Sequence, residues 1–179
     1  RLIYILMNET GIKSDEINAF ALPGGKIAFY TGIMPIAKND AGIAAIMGHE
    51  IGHVIAGHHA EGQSNQTAAG IILFGKQMAD VLTGGATSVV SNDLVSQGLN
   101  LGLLKFNRTQ EYEADKYGLI FMAMAGYNPE EAVELWKRMA AAGGSQGPEF
   151  LSTHPDTTNR IKKLQEYLPE AMKYYNQSK

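Results

Sequence analysis

The sequence predicts a mainly helical α+β fold with one small β-sheet near its front. Three observations carry that prediction. Apolar residues recur at helical spacing over most of the chain beyond residue 40. Two short β-compatible runs, 17–22 and 26–31, flank the turn signal Pro23-Gly24-Gly25. The 179 residues are 45% hydrophobic and 18% charged, enough to bury the core of one domain and too apolar for a disordered chain. The expected organisation is a single domain over residues 1–179 with a helical insertion at about 63–105.

In chain order, residues 1–8 carry an apolar pattern that ends a helix, with Gly11 as its stop. The runs 17–22 and 26–31 follow as a hairpin or as adjacent strands. Asn39 or Asp40 caps a helix over 41–60 that is apolar most of the way round, and is therefore expected to be central and buried. Helices are expected over 64–82 and 88–104, with Gly84-Gly85 between them, and over 108–125, stopped by Gly126. Pro129 suits the first helical position of a further helix to about 142. Residues 143–148 form a loop, and a last helix covers 155–175, capped from Thr153.

Composition removes several function classes. A net charge of −3 gives no electrostatic basis for binding nucleic acid. The absence of cysteine excludes disulfides, a thiol nucleophile and thiolate metal sites. A metal would have to use His, Asp or Glu, and there are five histidines. No stretch offers the ~20 apolar residues of a membrane span. The most apolar, 68–82 and 86–104, are interrupted by Lys76 and Asp80 and by Asn92 and Asp93. The chain starts at Arg1 without a signal-like segment, as a processed or truncated piece would.

Residues 49–53 read HEIGH, an HExxH motif that would arise in about one shuffled sequence in a hundred. On a helix, residues four apart lie about 6 Å apart along the axis and on nearly the same face, so His49 and His53 can reach one metal ion. Glu50 can contact a metal-bound water without ligating the metal. Three polar groups inside an apolar helix need partners, and a metal with its water would satisfy all three.

A third ligand has two candidates. His59 stands ten residues after His49, but the helix break that would bring it back requires Gly at position 56, where Ala56 stands. His58 and His59 are expected instead as solvated bystanders at a helix C-terminus. The second candidate is EYEAD at 111–115, where Glu111 and Asp115 share a helix face and Glu113 points elsewhere. One carboxylate would ligate the metal while the other accepts the N–H of a ligand imidazole.

The ordered set NAFALPGG at 18–25, HEIGH, EYEAD and STHP at 152–155 resembles the HtpX/Oma-type zinc metallopeptidases, gluzincins of the metallopeptidase family numbered forty-eight. The likeness runs from about residue 17 to 160. It implies a zincin-type core with the sheet beside the HExxH helix, and one zinc ion held by His49, His53 and Glu111. It also implies Glu50 as general base, with Asp115 orienting a ligand histidine. His154 would be a fourth ligand of a resting state or an oxyanion donor, and Arg160 would hold a nearby carboxylate. The expected function is zinc-dependent cleavage of peptides or unfolded proteins in protein quality control. The alternative is a latent or chaperone-like binding module with a closed zinc site.

The strand at 26–31 is expected as an exposed edge beside the cleft, where Lys26, Ile27, Ala28, Phe29 and Tyr30 would bind an extended peptide. The 58 positions between His53 and Glu111 suggest amphipathic helices, with lid and subunit interface as equal readings and a peripheral membrane contact left open. With the absence of cysteine and the processed start, the resemblance suggests a bacterial periplasm or envelope. The oligomeric state is left open.

Overall fold

The computed structural model describes residues 11–22, 26–142, 154 and 157–179. The elements are β1 (Gly11–Ile12), β2 (Ala19–Leu22), β3 (Lys26–Tyr30), a 3-10 turn (Thr31–Ile33), α1 (Met34–Ala37), α2 (Asp40–Ile55), α3 (His58–Leu82), α4 (Asn92–Met124), α5 (Glu130–Ala142) and α6 (Thr157–Gln177). The fold is mainly helical α+β, as predicted. Backbone contacts group the chain into two units. One takes the residues up to Ala56 and those from Gln110 onward, and the other is Gly57–Thr109. The expected helix end at 1–8, the turn at 23–25, the loop at 143–148 and the Thr153 cap lie outside the described residues.

In the first unit the three strands form one sheet in the order β1-β3-β2. β2 and β3 pair antiparallel, from Ala19 opposite Phe29 to Leu22 opposite Lys26. β1 pairs parallel to β3 on its other side, Gly11 opposite Phe29 and Ile12 opposite Tyr30. This corrects the expected edge: β3 is the central strand. Ile27, Ala28 and Phe29 are all buried, so both faces of the strand are covered. Their main chain is committed to neighbouring strands, and only Lys26 of the three-strand core's middle ribbon is exposed. Among the described residues the edge strands are β1 and β2.

α2 starts where expected, with the Asn39 side chain accepting the Gly42 N–H at 2.9 Å. It is buried along Ala44, Ala45, Ile46 and Met47. It ends five residues earlier than predicted. Gly57 adopts φ +73°, a left-handed conformation that breaks the helix and lets the chain turn into α3. His58 therefore opens a helix, and it is buried rather than solvated, another departure from expectation. The expected helices over 88–104 and 108–125 are one continuous α4, since residues 105–107 contain no Gly or Pro to interrupt it. Gly126, at φ +84°, stops α4 as predicted.

The core of the first unit joins Phe29, Ile33 and Ile46 to Leu119 and Met122 of α4, Trp136 and Met139 of α5, and Leu164 of α6. Among the described residues, no helix is long and apolar enough to cross a membrane.

Candidate metal centre

The site begins with a close crossing of α2 and α4. Gly48 and Gly52, one turn apart, face Ala114 and Gly118, also one turn apart. A Cβ on Gly48 would lie 2.7 Å from the Gly118 carbonyl oxygen, and one on Gly52 2.8 Å from that of Ala114. A side chain at either position would have to push the other backbone away. Each histidine of the motif follows one of these glycines, and Glu111 and Asp115 flank Ala114. The backbone approach thus drives two imidazoles and two carboxylates together.

His49, His53, Glu111 and His154 form one buried group whose ligand atoms all lie within 4.8 Å of one another. His49 Nε2 is 3.1 Å from His53 Nε2 and 3.2 Å from His154 Nδ1. Glu111 Oε2 is 3.0 Å from His154 Nδ1 and 3.4 Å from His49 Nε2, and Glu111 Oε1 is 3.4 Å from His53 Nε2. Ligand atoms about 2.0–2.1 Å from a tetrahedral zinc would stand roughly 3.3–3.4 Å from one another. The donor set, three imidazoles and a carboxylate, suits that ion in type and in spacing.

Glu50 is 2% exposed. Its Oε2 accepts the main-chain N–H of Ala21 in β2 at 3.1 Å. Its Oε1 is buried without a hydrogen-bond partner among the described residues, and His154 Nε2 stands 3.5 Å from it. A buried carboxylate oxygen left unsatisfied is costly, and a metal-bound water beside the donor group would satisfy it.

A second layer fixes the ligands. Asp115 Oδ1 lies 3.0 Å from His49 Nδ1, which leaves Nε2 to face the other donors. Arg160 is fully buried and donates to both Asp115 oxygens, Nε to Oδ2 at 2.7 Å and Nη2 to Oδ1 at 2.6 Å. Its Nη1 pairs with Glu111 Oε2 at 2.8 Å and donates to the His154 carbonyl at 3.3 Å. Its guanidinium stacks 3.7 Å over the Trp136 ring.

These charges set the protonation states. Burial opposes ionised Glu111, but Arg160 and hydrogen bonds from three histidines outweigh it and hold the carboxyl far below its usual range. Burial likewise opposes ionised Asp115, and Arg160 again prevails, lowering it. Burial pushes His53 down to about 3 despite Glu111. At His49, burial and Arg160 disfavour the proton, yet Asp115 and Glu111 together raise it to about 9.

The structure therefore brings together Glu50, His49, His53, Glu111, His154, Asp115 and Arg160. His58 is not in the group, the His59 side chain lies outside the described residues, and Glu113 is exposed. The five β3 residues, Lys26 to Tyr30, belong to the strand on the far side of β2 from the Ala21–Glu50 contact. Sequence reasoning missed Trp136 and the Ala21 N–H. The glycine pair of α2 and the Ala114/Gly118 pair of α4 were the available signal for the crossing.

The chain matches the model of peptidase family M48 over residues 7–168. It is 41% identical over 163 residues to the mitochondrial metalloendopeptidase OMA1 of Schizosaccharomyces pombe, covering 89% of this chain and 46% of that protein. Its identity to the protein of the same name in Saccharomyces cerevisiae is 38% over 170 residues, with 90% and 46% covered. The beta-barrel assembly-enhancing protease of Escherichia coli is 27% identical over 155 residues, with 84% and 32% covered. The chain thus spans about half the length, or less, of the curated relatives it matches. The expectation of a bacterial periplasm is overturned, because the relatives at 37–41% identity carry mitochondrial names.

Proposed function

The chain belongs to peptidase family M48, and we propose that it is a zinc metalloendopeptidase that hydrolyses peptide bonds in unfolded or misfolded proteins. The observation that carries this is the partnerless buried oxygen of Glu50 beside a four-donor metal group. A structural metal site has no use for such a base.

In this reading His49, His53 and Glu111 would hold one zinc ion, which when bound would supply an acidified water and polarise a scissile carbonyl. Glu50 is placed to take a proton at Oε1 and to return it to the leaving amine. The Ala21 N–H fixes Glu50 through its other oxygen. Asp115 keeps the His49 Nδ1 proton in place, and Arg160 holds Asp115 and Glu111 in register. The substrate strand is assigned to the outer side of β2 rather than to β3, because β2 is an edge strand among the described residues and directs a main-chain N–H to the base. Main-chain pairing tolerates many sequences, which supports unfolded substrates and a role in protein quality control.

One observation favours a latent form of the same enzyme. His154 supplies a fourth protein donor, whereas a working site keeps one position open for water. Cleavage of a quenched peptide by wild type, Glu50→Gln and His154→Ala, each with its zinc content measured, tests both readings. Chelator-sensitive cleavage that Glu50→Gln abolishes supports the peptidase. Higher turnover in His154→Ala supports latency. Zinc-loaded proteins that all fail to cleave would leave the non-catalytic binding module as the function.

A further inference from the structure

Arg160 is 0% exposed, so every part of its charged guanidinium must find a partner inside the protein. The donors in its plane do. Nε and Nη2 donate to the two Asp115 oxygens, and Nη1 serves Glu111 Oε2 and the His154 carbonyl. Nη2 also lies 3.2 Å from His49 Nδ1. A guanidinium carries all its N–H groups in its plane and none on its faces. Hydrogen bonds therefore cannot serve the faces, which need another cover once water is excluded.

Trp136 covers one of them. Its ring centroid is 3.7 Å from Arg160 Cζ, a stacking distance. The same indole meets the His49 ring edge to face, with centroids 5.9 Å apart and planes at 76°. Trp136 stands on α5, whose charged side chains are engaged elsewhere. Glu130 accepts from Asn128, Glu134 pairs with Lys137, and Glu131 pairs with Arg138. α5 thus reaches the centre through an uncharged ring. That ring is also part of the hydrophobic core, alongside Leu135 and Met139. Core volume alone could be filled by any large apolar side chain. An aromatic face, negative above its plane, attracts a cation as well, and most strongly where water is excluded.

We infer that Trp136 is a positioning residue of the metal centre: its indole face holds the Arg160 guanidinium in the plane from which it grips Asp115 and Glu111 together. The two carboxylates fix the guanidinium within its plane, and the indole fixes the tilt of that plane. A tilt would lengthen and misalign the bonds to both carboxylates at once. It would be felt at two donors of the metal group, since Asp115 orients His49 and Glu111 is itself a donor. The hold on the carboxylates stands without the peptidase reading, while its effect on zinc rests on that reading.

The chain has one tryptophan, so biosynthetic incorporation of mono-, di- and trifluorotryptophan alters position 136 alone. Fluorine drains negative charge from the ring face with little change of shape. Two quantities are read on the 179-residue chain. One is zinc affinity, by chelator competition. The other is exchange of the Arg160 Nε–H with water in the metal-free protein, its NMR signal assigned by its loss in Arg160→Lys. Each added fluorine is expected to weaken zinc binding roughly two- to threefold and to quicken that exchange, with main-chain exchange in α5 unchanged. Trp136→Phe, which keeps a smaller face, is expected between wild type and Trp136→Leu, and the leucine variant to bind zinc about tenfold more weakly or worse. Nε–H exchange indifferent to fluorine, or zinc binding indifferent to it, would overturn the inference and leave Trp136 as core packing. If no form binds zinc, the peptidase reading fails, and the exchange series in the metal-free protein decides the hold on Arg160 by itself.

Discussion

At the scale of single residues, protonation decides how the centre takes up its metal. Without metal, His49 keeps a proton up to about pH 9, because Asp115 and Glu111 outweigh the opposing burial and Arg160. His53, lowered to about 3, is already neutral. Zinc can bind His49 only by displacing that proton. Calorimetry in buffers of different ionisation enthalpy should therefore show about one proton released per zinc near pH 7.5. Affinity should rise up to tenfold per pH unit until about pH 9. The sign for stability is the reverse. A raised folded pKa stabilises the metal-free protein fully below the unfolded value near 6.5, and that gain is lost as pH rises through 9. Denaturant midpoints of the metal-free protein that climb between pH 7 and 9 would contradict this assignment. Arg160→Lys keeps the charge but loses the two-pronged grip on Asp115 and the stacking on Trp136. Zinc affinity, measured by chelator competition, should fall about 10–100-fold. The HExxH histidines were legible in the sequence because helix geometry alone brings them together. The contact of Arg160 with Trp136 was not, because the residues stand on different helices and no local spacing links them.

At the scale of elements, the crossing of α2 and α4 is what assembles the ligands. Gly52→Ala puts a methyl 2.8 Å from the Ala114 carbonyl oxygen, inside van der Waals contact. It should destabilise the fold by about 1–3 kcal/mol and weaken zinc binding, because the helix carrying Glu111 is displaced. An alanine variant with wild-type stability and zinc affinity would show that the helices do not need this closeness. The helices themselves were read correctly where a cap or a stop was written locally, as at Asn39 and Gly126. They were misread where the evidence was tertiary. Gly57 breaks α2 with no proline nearby, and residues 105–107 continue α4 across a boundary that composition suggested. The strand misassignment has the same origin. Two residues, Gly11 and Ile12, pair with β3 and turn a predicted edge into a centre, and a two-residue strand leaves almost no pattern to read.

At the scale of the molecule, the first unit packs its core around a cluster of charges. Glu50, Glu111, Asp115 and Arg160 are all buried. An ion bound there stabilises the folded state alone. At a thousandfold excess over its Kd it contributes about 4 kcal/mol, roughly a 10 °C change in melting temperature for a chain this size. Chelation should produce that drop in differential scanning, and zinc should restore it. The family could be read from the ordered motifs and is shown by the match over residues 7–168. The compartment could not, since no residue of the site depends on it, and the mitochondrial relatives correct the periplasmic expectation. The central claim is the ligand set, and zinc-edge X-ray absorption on the zinc-loaded chain tests it most directly. The account predicts imidazole and carboxylate donors at about 2.0–2.1 Å in a four-coordinate shell, with one imidazole lost in His154→Ala and the carboxylate lost in Glu111→Ala. A shell that both substitutions leave unchanged would contradict it.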